Sequence, residues 1–188
     1  MDTTEEVIIQ GQDEKISAVK TVYEWAETLI WCFVFVVILF TFAFRVVGVK
    51  GPSMENTLLN GERLITLNYF TPKYGDIVAI TQPENLSVPL VKRVIATEGE
   101  TVNIDFEKGE VYVDGALLEE GYIKTSTTVK GDIDFPVTVP KGHVFVMGDN
   151  RDVSLDSRYK EIGMIDTRYI FGKPFFRILP FGRFGTLQ

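Results

Sequence analysis

Two side chains in this sequence could form a nucleophile and its base. Ser53 lies in VKGPSMENTL (residues 49–58), where the Gly-Pro-Ser composition is typical of a turn. Lys92 lies in LVKRVIA (residues 90–96), which is otherwise strongly apolar. Each also has an ordinary interpretation, Ser53 as a loop serine and Lys92 as a lysine that extends to solvent. Their chemistry depends on whether the fold buries Lys92 and brings it to Ser53.

Burial would change the chemistry of Lys92. Side chains of a strand alternate between faces, and both faces of residues 90–96 are mostly apolar, so Lys92 and Arg93 each have aliphatic neighbours. Burial disfavours the ammonium form and lowers a lysine pKa that starts near about 10.4. A neutral amine could then accept the proton of a serine hydroxyl.

Histidine and cysteine are scarce, which narrows the possible chemistry. A structural or exposed role is favoured for the single histidine, His143, and a Ser-His-Asp triad would have to use it. The single cysteine, Cys32, lies in an apolar run and is best explained as a small apolar residue. An HExxH zinc site, an internal disulfide and a Cys-rich metal site are excluded. No metal or cofactor is expected, and serine with lysine is the simplest nucleophile-base pair available.

A dense polar stretch, GDNRDVSLDSRYKE (residues 148–161), follows an apolar strand pattern. It has three interpretations: a solvated acidic loop, a calcium site, or a hydrogen-bonded loop that supports an active site. Calcium is disfavoured because the oxygen ligands lack EF-hand spacing and its central glycine. In the third interpretation Asp156 and Arg158 form an ion pair, and Ser154 hydrogen-bonds to a buried amine.

Length and charge restrict the class of protein. The chain has 188 residues, 45% of them apolar, which suits one domain plus an anchor. Its net charge of −7 makes a nucleic-acid surface unexpected. Residues 1–24 are rich in acidic side chains and are predicted to be a solvated tail.

A long uncharged run, TLIWCFVFVVILFTFAF (residues 28–44), continues past Arg45 into Val46 and Val47. This length roughly spans a hydrocarbon core of about 30 Å, so residues 25–47 are predicted to be a transmembrane anchor. A buried core helix is disfavoured because the run is apolar on all faces, and a cleavable signal peptide because the preceding region is acidic. The few lysines and arginines on either side do not fix the orientation.

Residues 48–188 read as an all-β domain of short strands between turns, with a smaller β excursion at about 101–140. No long amphipathic helix and no repeat is found. The C-terminal stretch FGKPFFRILPFGRFG (residues 171–185) mixes phenylalanines with cations. It reads equally well as a membrane-interface segment and as a packed final strand with a tail.

The motifs in this order resemble the type I signal peptidases, in particular the short single-anchor kind of Gram-positive bacteria. The shared pattern is an anchor, GxSMxxTL, a Lys-Arg pair in an apolar strand, and GDNRxxSxDSR. The resemblance covers nearly the whole chain after the acidic tail, and the last motif is highly specific. It implies a mainly β fold, a single N-terminal transmembrane helix followed by an all-β catalytic domain.

The resemblance also assigns roles at the site. It makes Ser53 the nucleophile and Lys92 the general base, with Ser154 orienting the Lys92 amine. The residues that it implies in supporting or structural roles are Met54, Arg93, Gly148, Asp149, Asn150, Asp156 and Arg158.

The function implied is a membrane-bound serine endopeptidase that removes signal peptides from exported preproteins, cutting after small residues at positions −1 and −3. Its partners would be preproteins and the lipid bilayer, and its catalytic domain would face the extracytoplasmic side. The alternatives are a catalytically inactive paralogue that binds extracytoplasmic partners, and a self-cleaving Ser/Lys protease. The presence of both Ser53 and Lys92 disfavours the first, and the membrane span and acidic composition disfavour the second.

Three positions depart from the family pattern. Asn56 stands where proline is usual in SMxPTL, and Glu98 stands where proline or glycine is usual after the Lys-Arg pair. Gly51 occupies a position where Gram-negative members often carry a serine hydroxyl for the oxyanion hole. The first two put local loop geometry in question, and the third implies that backbone N–H groups must stabilise an oxyanion.

Overall fold

The computed structural model describes residues 3–81 and 89–187, with the side chains of the first helix described from Val19 onward. The chain divides into two units, Met1–Ala43 and Phe44–Gln188. The first unit is the helix α1, Thr3–Phe42. Within the described residues, its part Val19–Phe42 is long and apolar enough to cross a membrane, and none of its most apolar window is buried. At 1.5 Å per residue these 24 residues extend about 36 Å, which exceeds a hydrocarbon core of about 30 Å.

The helix ends before the predicted boundary of the anchor at residue 47. The strand β1, Phe44–Gly48, begins almost at once and pairs antiparallel with β2, Arg63–Leu67. Val47 is buried in the core while Val46 is exposed, which is the alternation of a strand. Apolar composition alone does not separate a helix from a strand at this junction, and pairing with β2 decides it.

The main sheet has the order β1-β2-β11-β3-β4-β9-β10, with β12 on the other side of β11, and its pairs are antiparallel. Its remaining strands are β3 (Ile77–Ile80), β4 (Leu90–Ala96), β9 (His143–Met147), β10 (Ile165–Asp166), β11 (Ile170–Leu179) and β12 (Gly185–Thr186). A second sheet has the order β7-β6-β5-β8. Its strands are β5 (Thr101–Asp105), β6 (Glu110–Val113), β7 (Ala116–Leu117) and β8 (Val137–Thr138). Single 3₁₀ turns lie at Thr167–Tyr169 and Phe181–Arg183.

The prediction of a mainly β domain after an N-terminal apolar helix is confirmed. The second sheet lies within the range where the sequence predicts a smaller β excursion. At the C-terminus, β11 is a strand inside the main sheet, so the packed-strand interpretation holds for residues 170–179. Phe181 and Phe184, which follow it, are largely exposed.

The register of β4 and β9 positions the candidate site. Arg93 lies opposite Met147, the last residue of β9, so the turn that begins at Gly148 leaves the sheet beside Lys92. On the other side Lys92 pairs with Val78 in β3. Lys92 therefore lies between two sheet neighbours, at the end of β9 from which the polar loop emerges.

Candidate active site

Ser53 lies in a turn of residues 51–60, here called the serine turn. Its neck is closed by two backbone hydrogen bonds, from Val49 N–H to the Glu62 carbonyl at 2.8 Å and from Gly61 N–H to the Val49 carbonyl at 2.9 Å. Met54 and Leu58 are buried in the same apolar cluster as Val49, whereas Ser53 is half-buried. The alternation of buried and accessible residues fixes the turn to the core and leaves Ser53 reachable.

Lys92 is buried, and it does not extend to solvent. Its side chain is 2% exposed, and its Nζ donates a hydrogen bond of 3.1 Å to Ser154 Oγ. The pKa of Lys92 is lowered to about 8. Burial is the main cause and the positive charge of Arg158 contributes to it, while the carboxylates of Asp156 and Asp149 oppose the shift. A substantial fraction of this amine is therefore neutral near pH 8, as a general base requires.

The turn at residues 148–150 brings the serine turn and the lysine together. Asn150 donates its N–H to the Ser53 carbonyl at 3.0 Å and its side-chain amide to the Pro52 carbonyl at 3.1 Å. A Cβ on Gly148 would overlap both Ser53 O and Ser154 Oγ. Ser53 and the Lys92–Ser154 pair therefore meet at this glycine. Within the described part of the chain, no hydrogen bond joins Ser53 Oγ to Lys92 directly.

Asp149 ties the lysine strand to the serine turn. Its carboxylate accepts two hydrogen bonds of 2.8 Å from Nε and Nη2 of Arg93, and both side chains are buried. The hydroxyl of Thr57, in the serine turn, donates to the same carboxylate. The guanidinium of Arg93 also stacks on the ring of Tyr122 at 4.0 Å. Arg93 and Asp149 thus act on the shape of the site rather than on its reacting atoms.

Asp156 and Arg158 form the ion pair that the sequence suggested. Arg158 Nε lies 2.9 Å from Asp156 Oδ1 and Nη2 lies 3.0 Å from Oδ2, with both side chains fully buried. Asp156 also accepts the N–H of Gly148 at 3.1 Å, and Arg158 donates to the Ser154 carbonyl at 3.3 Å. The pair therefore holds both the glycine and the serine that contact the lysine. Because Asp156 and Asp149 are bound by arginines, their carboxylates are not arranged as calcium ligands.

A second buried pair was missed by the sequence reasoning. Arg151 is fully buried, donates Nε to the Gly148 carbonyl at 3.0 Å, and donates Nη1 to Glu120 Oε2 at 3.0 Å. Tyr122 donates its hydroxyl to the same Glu120 carboxylate at 2.9 Å. Glu120 lies three residues after β7 and 31 residues before Arg151, so no local pattern in the sequence joins them.

The positions that depart from the family pattern have local partners. The Asn56 amide reaches the Ile123 carbonyl at 3.5 Å. Glu98 accepts the N–H of Gly142 at 2.7 Å. Gly51 has a φ of 81°, in the region that favours glycine, and its N–H donates to Asn60 Oδ1 at 3.0 Å. The backbone of the serine turn therefore favours glycine at residue 51.

His143 does not lie at the site. It begins β9, and its Nδ1 is 2.9 Å from the carbonyl of Lys141. The contacts to Lys92 and Ser53 occur after the other end of that strand, about 13 Å away at the usual strand rise. A Ser-His-Asp triad built on Ser53 is thereby excluded.

Gly148→Ala should strongly lower the rate of any reaction that depends on Ser53 and Lys92, while the chain still folds. The added methyl group has no space between Ser53 O and Ser154 Oγ, so it must displace one of them. A displacement of about 1 Å at a reacting group lowers kcat by about 10²-fold. Steady-state kinetics of the purified variant would measure this loss. Gly121→Ala is the matched control because its Cβ meets no atom within 4 Å, and equal kinetics of the two variants would contradict the role of Gly148.

Comparison with known proteins gives consistent matches. The family model described as signal peptidase, peptidase S26, matches residues 22–179. Signal peptidase I of Bacillus licheniformis is 35% identical over 183 residues, covering 90% of this chain and 95% of the relative. Signal peptidase I T of Bacillus subtilis (strain 168) is 37% identical over 173 residues, with 86% and 87% covered. A solved signal peptidase I structure from Enterococcus faecalis V583 has 32% identity and a TM-score of 0.45, covering 55% of this chain and 97% of that one.

Proposed function

Because this chain belongs to the signal peptidase family, peptidase S26, we propose that it removes signal peptides from preproteins by a Ser53–Lys92 mechanism. The observation that carries the proposal is the buried Lys92 amine, which is hydrogen-bonded to Ser154, with the Ser154 hydroxyl and the Ser53 carbonyl both lying against Gly148. A buried lysine beside a serine, with no histidine near either, is the arrangement that nucleophilic catalysis by serine needs here.

The proposed reaction is acyl transfer in two halves. Neutral Lys92 accepts the proton of Ser53 as Oγ attacks the carbonyl carbon of the scissile peptide bond. The C–N bond then breaks, the leaving amine of the mature protein takes the proton from Lys92, and the signal peptide stays as an ester on Ser53. In the second half Lys92 takes a proton from water, which attacks the ester carbonyl. The bond to Ser53 Oγ then breaks, Lys92 returns its proton to Ser53 Oγ, and the signal peptide leaves as an acid that ionises to a carboxylate in water. Substrate binding has to bring Ser53 Oγ to hydrogen-bonding distance of Lys92, a change that many free enzymes require.

The negatively charged carbonyl oxygen that develops in both halves of the reaction needs hydrogen-bond donors. Gly51 supplies no hydroxyl, so the donors proposed are backbone N–H groups, with that of Ser53 first. Among the described residues the Ser53 N–H makes no hydrogen bond, which leaves it available to a developing negative charge. One well-aimed donor of this kind contributes about 3 kcal/mol to transition-state stabilisation in serine proteases.

The family and the apolar helix together indicate where in the cell the protein acts. We expect α1 to anchor the chain in the cell membrane through Val19–Phe42, with the catalytic domain on the extracytoplasmic side. A preprotein in transit has its own apolar signal segment in that bilayer. Both substrate and enzyme are then confined to one surface, which raises their effective concentration. Small residues at −1 and −3 are the expected cleavage signal.

The function is tested by a cleavage assay with the full chain in detergent or phospholipid. One preprotein would carry Ala-x-Ala before the cleavage site, and a matched preprotein would carry Leu in place of the last Ala. We expect a single cut after the Ala in the first substrate, which gives the signal peptide and the mature protein, and little or no cutting of the second. No product from several Ala-x-Ala preproteins, with folded enzyme, would point to a non-catalytic binding domain. Equal cutting of the two substrates would contradict the small-residue specificity.

The rate should depend on pH through Lys92. Only the neutral amine accepts a proton, and the Lys92 pKa is lowered to about 8 by burial. We therefore expect kcat/KM to rise about tenfold per pH unit below pH 8 and to level above it. At pH 6 the value should be about 10²-fold lower than at pH 9. A profile that is flat from pH 5 to 9 would exclude Lys92 as the base.

A further inference from the structure

A cluster of three charged side chains, two buried and one partly exposed, lies at the neck of the serine turn and is not used by the proposed reaction. Glu62 is 1% exposed, and its carboxylate binds two arginines from the C-terminal part of the chain. Arg177 Nε lies 2.8 Å from Glu62 Oε2, and Arg183 Nη1 lies 2.6 Å from Oε1. Arg177 is itself 9% exposed, and its Nη1 donates to the Arg183 carbonyl at 3.2 Å. Buried ions persist only when geometry and pairing are good, so the cluster is a defined structure.

Both arginines also contact the serine turn itself. Nη2 of Arg177 donates to the Thr57 carbonyl at 3.0 Å, and Nη2 of Arg183 lies 3.4 Å from the same oxygen. The other end of that peptide group, the N–H of Leu58, donates to the Met54 carbonyl at 2.8 Å. A chain of direct contacts thus runs from the arginines through one peptide group to Met54, the residue next to Ser53.

We infer that Glu62, Arg177 and Arg183, here called the carbonyl clamp, are positioning residues for Ser53. Glu62 orients the two guanidinium groups, and these hold the Thr57 carbonyl so that the serine turn has one shape. The Thr57 hydroxyl is bound to Asp149 at the same time, so the residue is fixed at both its side chain and its backbone. The catalytic consequence of this clamp rests on the proposed function, whereas its effect on the turn does not.

Arg177→Lys is the informative variant. A lysine keeps the positive charge beside Glu62, but its ammonium group lacks the planar fork that binds Glu62 and the Thr57 carbonyl together. We expect kcat to fall about 30- to 100-fold, with KM changed by less than about threefold, because Ser53 is misplaced while the substrate still binds. The pH at which the rate levels should not move, since Lys92 keeps its surroundings.

Two controls separate positioning from stability. Val111→Ala removes two methyl groups from a fully buried position in the second sheet. Val111 packs in a different apolar cluster from Met54 and Leu58, so the change should lower the melting temperature without altering the clamp. Arg168→Lys disrupts an exposed pair with Asp166 that contacts no residue of the turn. Both should keep the wild-type kcat. Arg177→Lys with wild-type kcat, or a Val111→Ala variant of equal melting temperature with the same loss of kcat, would overturn the inference.

Hydrogen exchange of the full chain in detergent tests the clamp without the reaction. Exchange in peptides covering residues 51–60 should speed at least about tenfold in Arg177→Lys, since the Leu58 amide is no longer held in the turn. The Val111→Ala protein should show wild-type exchange there. If exchange is faster in Arg177→Lys but the wild type cleaves no preprotein, the clamp is supported and the proposed function is refuted. If the wild type cleaves preprotein but exchange in Arg177→Lys is unchanged, the clamp is refuted and the proposed function is supported.

Discussion

Ser53→Ala should reduce release of the signal peptide by about 10⁴-fold or more, which is the largest effect expected of a substitution in this chain. The variant has no hydroxyl at residue 53 to form the ester, and the Ser154 hydroxyl that accepts from Lys92 is only 3% exposed and so cannot take its place. The fold should be unaffected because the hydrogen bond that holds Ser53 to Asn150 uses the Ser53 carbonyl, which alanine keeps. Product formation and melting temperature would be measured on the same preparation.

The matched control is Ser126→Ala, which removes a hydroxyl from an exposed serine that, among the described residues, makes no hydrogen bond to the serine turn. It should cleave at the wild-type rate. The Ser53→Ala protein should still bind preprotein. Its dissociation constant for preprotein, measured in a competition assay, should be close to that of the wild type while turnover is lost. Turnover near the wild-type rate in purified Ser53→Ala would remove Ser53 as the nucleophile and, with it, the proposed mechanism.

The strands could be predicted from sequence wherever turn residues bound them. In LNGERLITLN (residues 59–68), the Asn60-Gly61 turn predicts a strand that begins near Arg63 and runs to Leu67, and β2 occupies this range. The junction between α1 and β1 was not predictable in this way, because an apolar run with no glycine or proline crosses it. Residues 44–47 become a strand through pairing with β2, which is a non-local contact.

The site was predictable where its partners are near in sequence. Asp156 and Arg158 are two residues apart, and their ion pair was suggested from the motif alone. Glu62 and Arg177 are 115 residues apart, and neither local sequence predicts that the two side chains pair. Lys92 stood between these cases, because apolar residues on both faces of β4 allowed either burial or extension to solvent. The packing of the residue 148–158 loop over the strand decides for burial.

Lys92→Met should abolish cleavage, with kcat/KM lower by about 10³-fold or more. Methionine has nearly the length and volume of lysine but cannot accept a proton. Lys92→Arg should be equally inactive, because a guanidinium does not lose its proton in this pH range. The pair of variants separates the base from a mere positive charge, since Arg keeps the charge. Activity in Lys92→Arg near the wild-type level would show that charge, and not proton transfer, is what the site requires.

The same Lys92→Met change should stabilise the protein below pH 8. Burial lowers the Lys92 pKa from 10.5 to about 8, so folding below pH 8 has to bury a charged amine. At about 1.4 kcal/mol per pKa unit this costs about 3 kcal/mol, and the lost hydrogen bond to Ser154 offsets about 1 kcal/mol of the gain. Between pH 8 and 10.5 the unfolded chain binds the proton and the folded chain does not, so wild-type stability rises with pH. The gain of about 2 kcal/mol should therefore shrink across that window, which denaturant unfolding at several pH values would measure.

Lys141→Met, at an exposed lysine, should show no such pH-dependent gain. A constant difference between Lys92→Met and wild type from pH 7 to 10.5 would mean that Lys92 enters the folded state without a lowered pKa, and the catalytic role assigned to its neutral form would lose its physical basis.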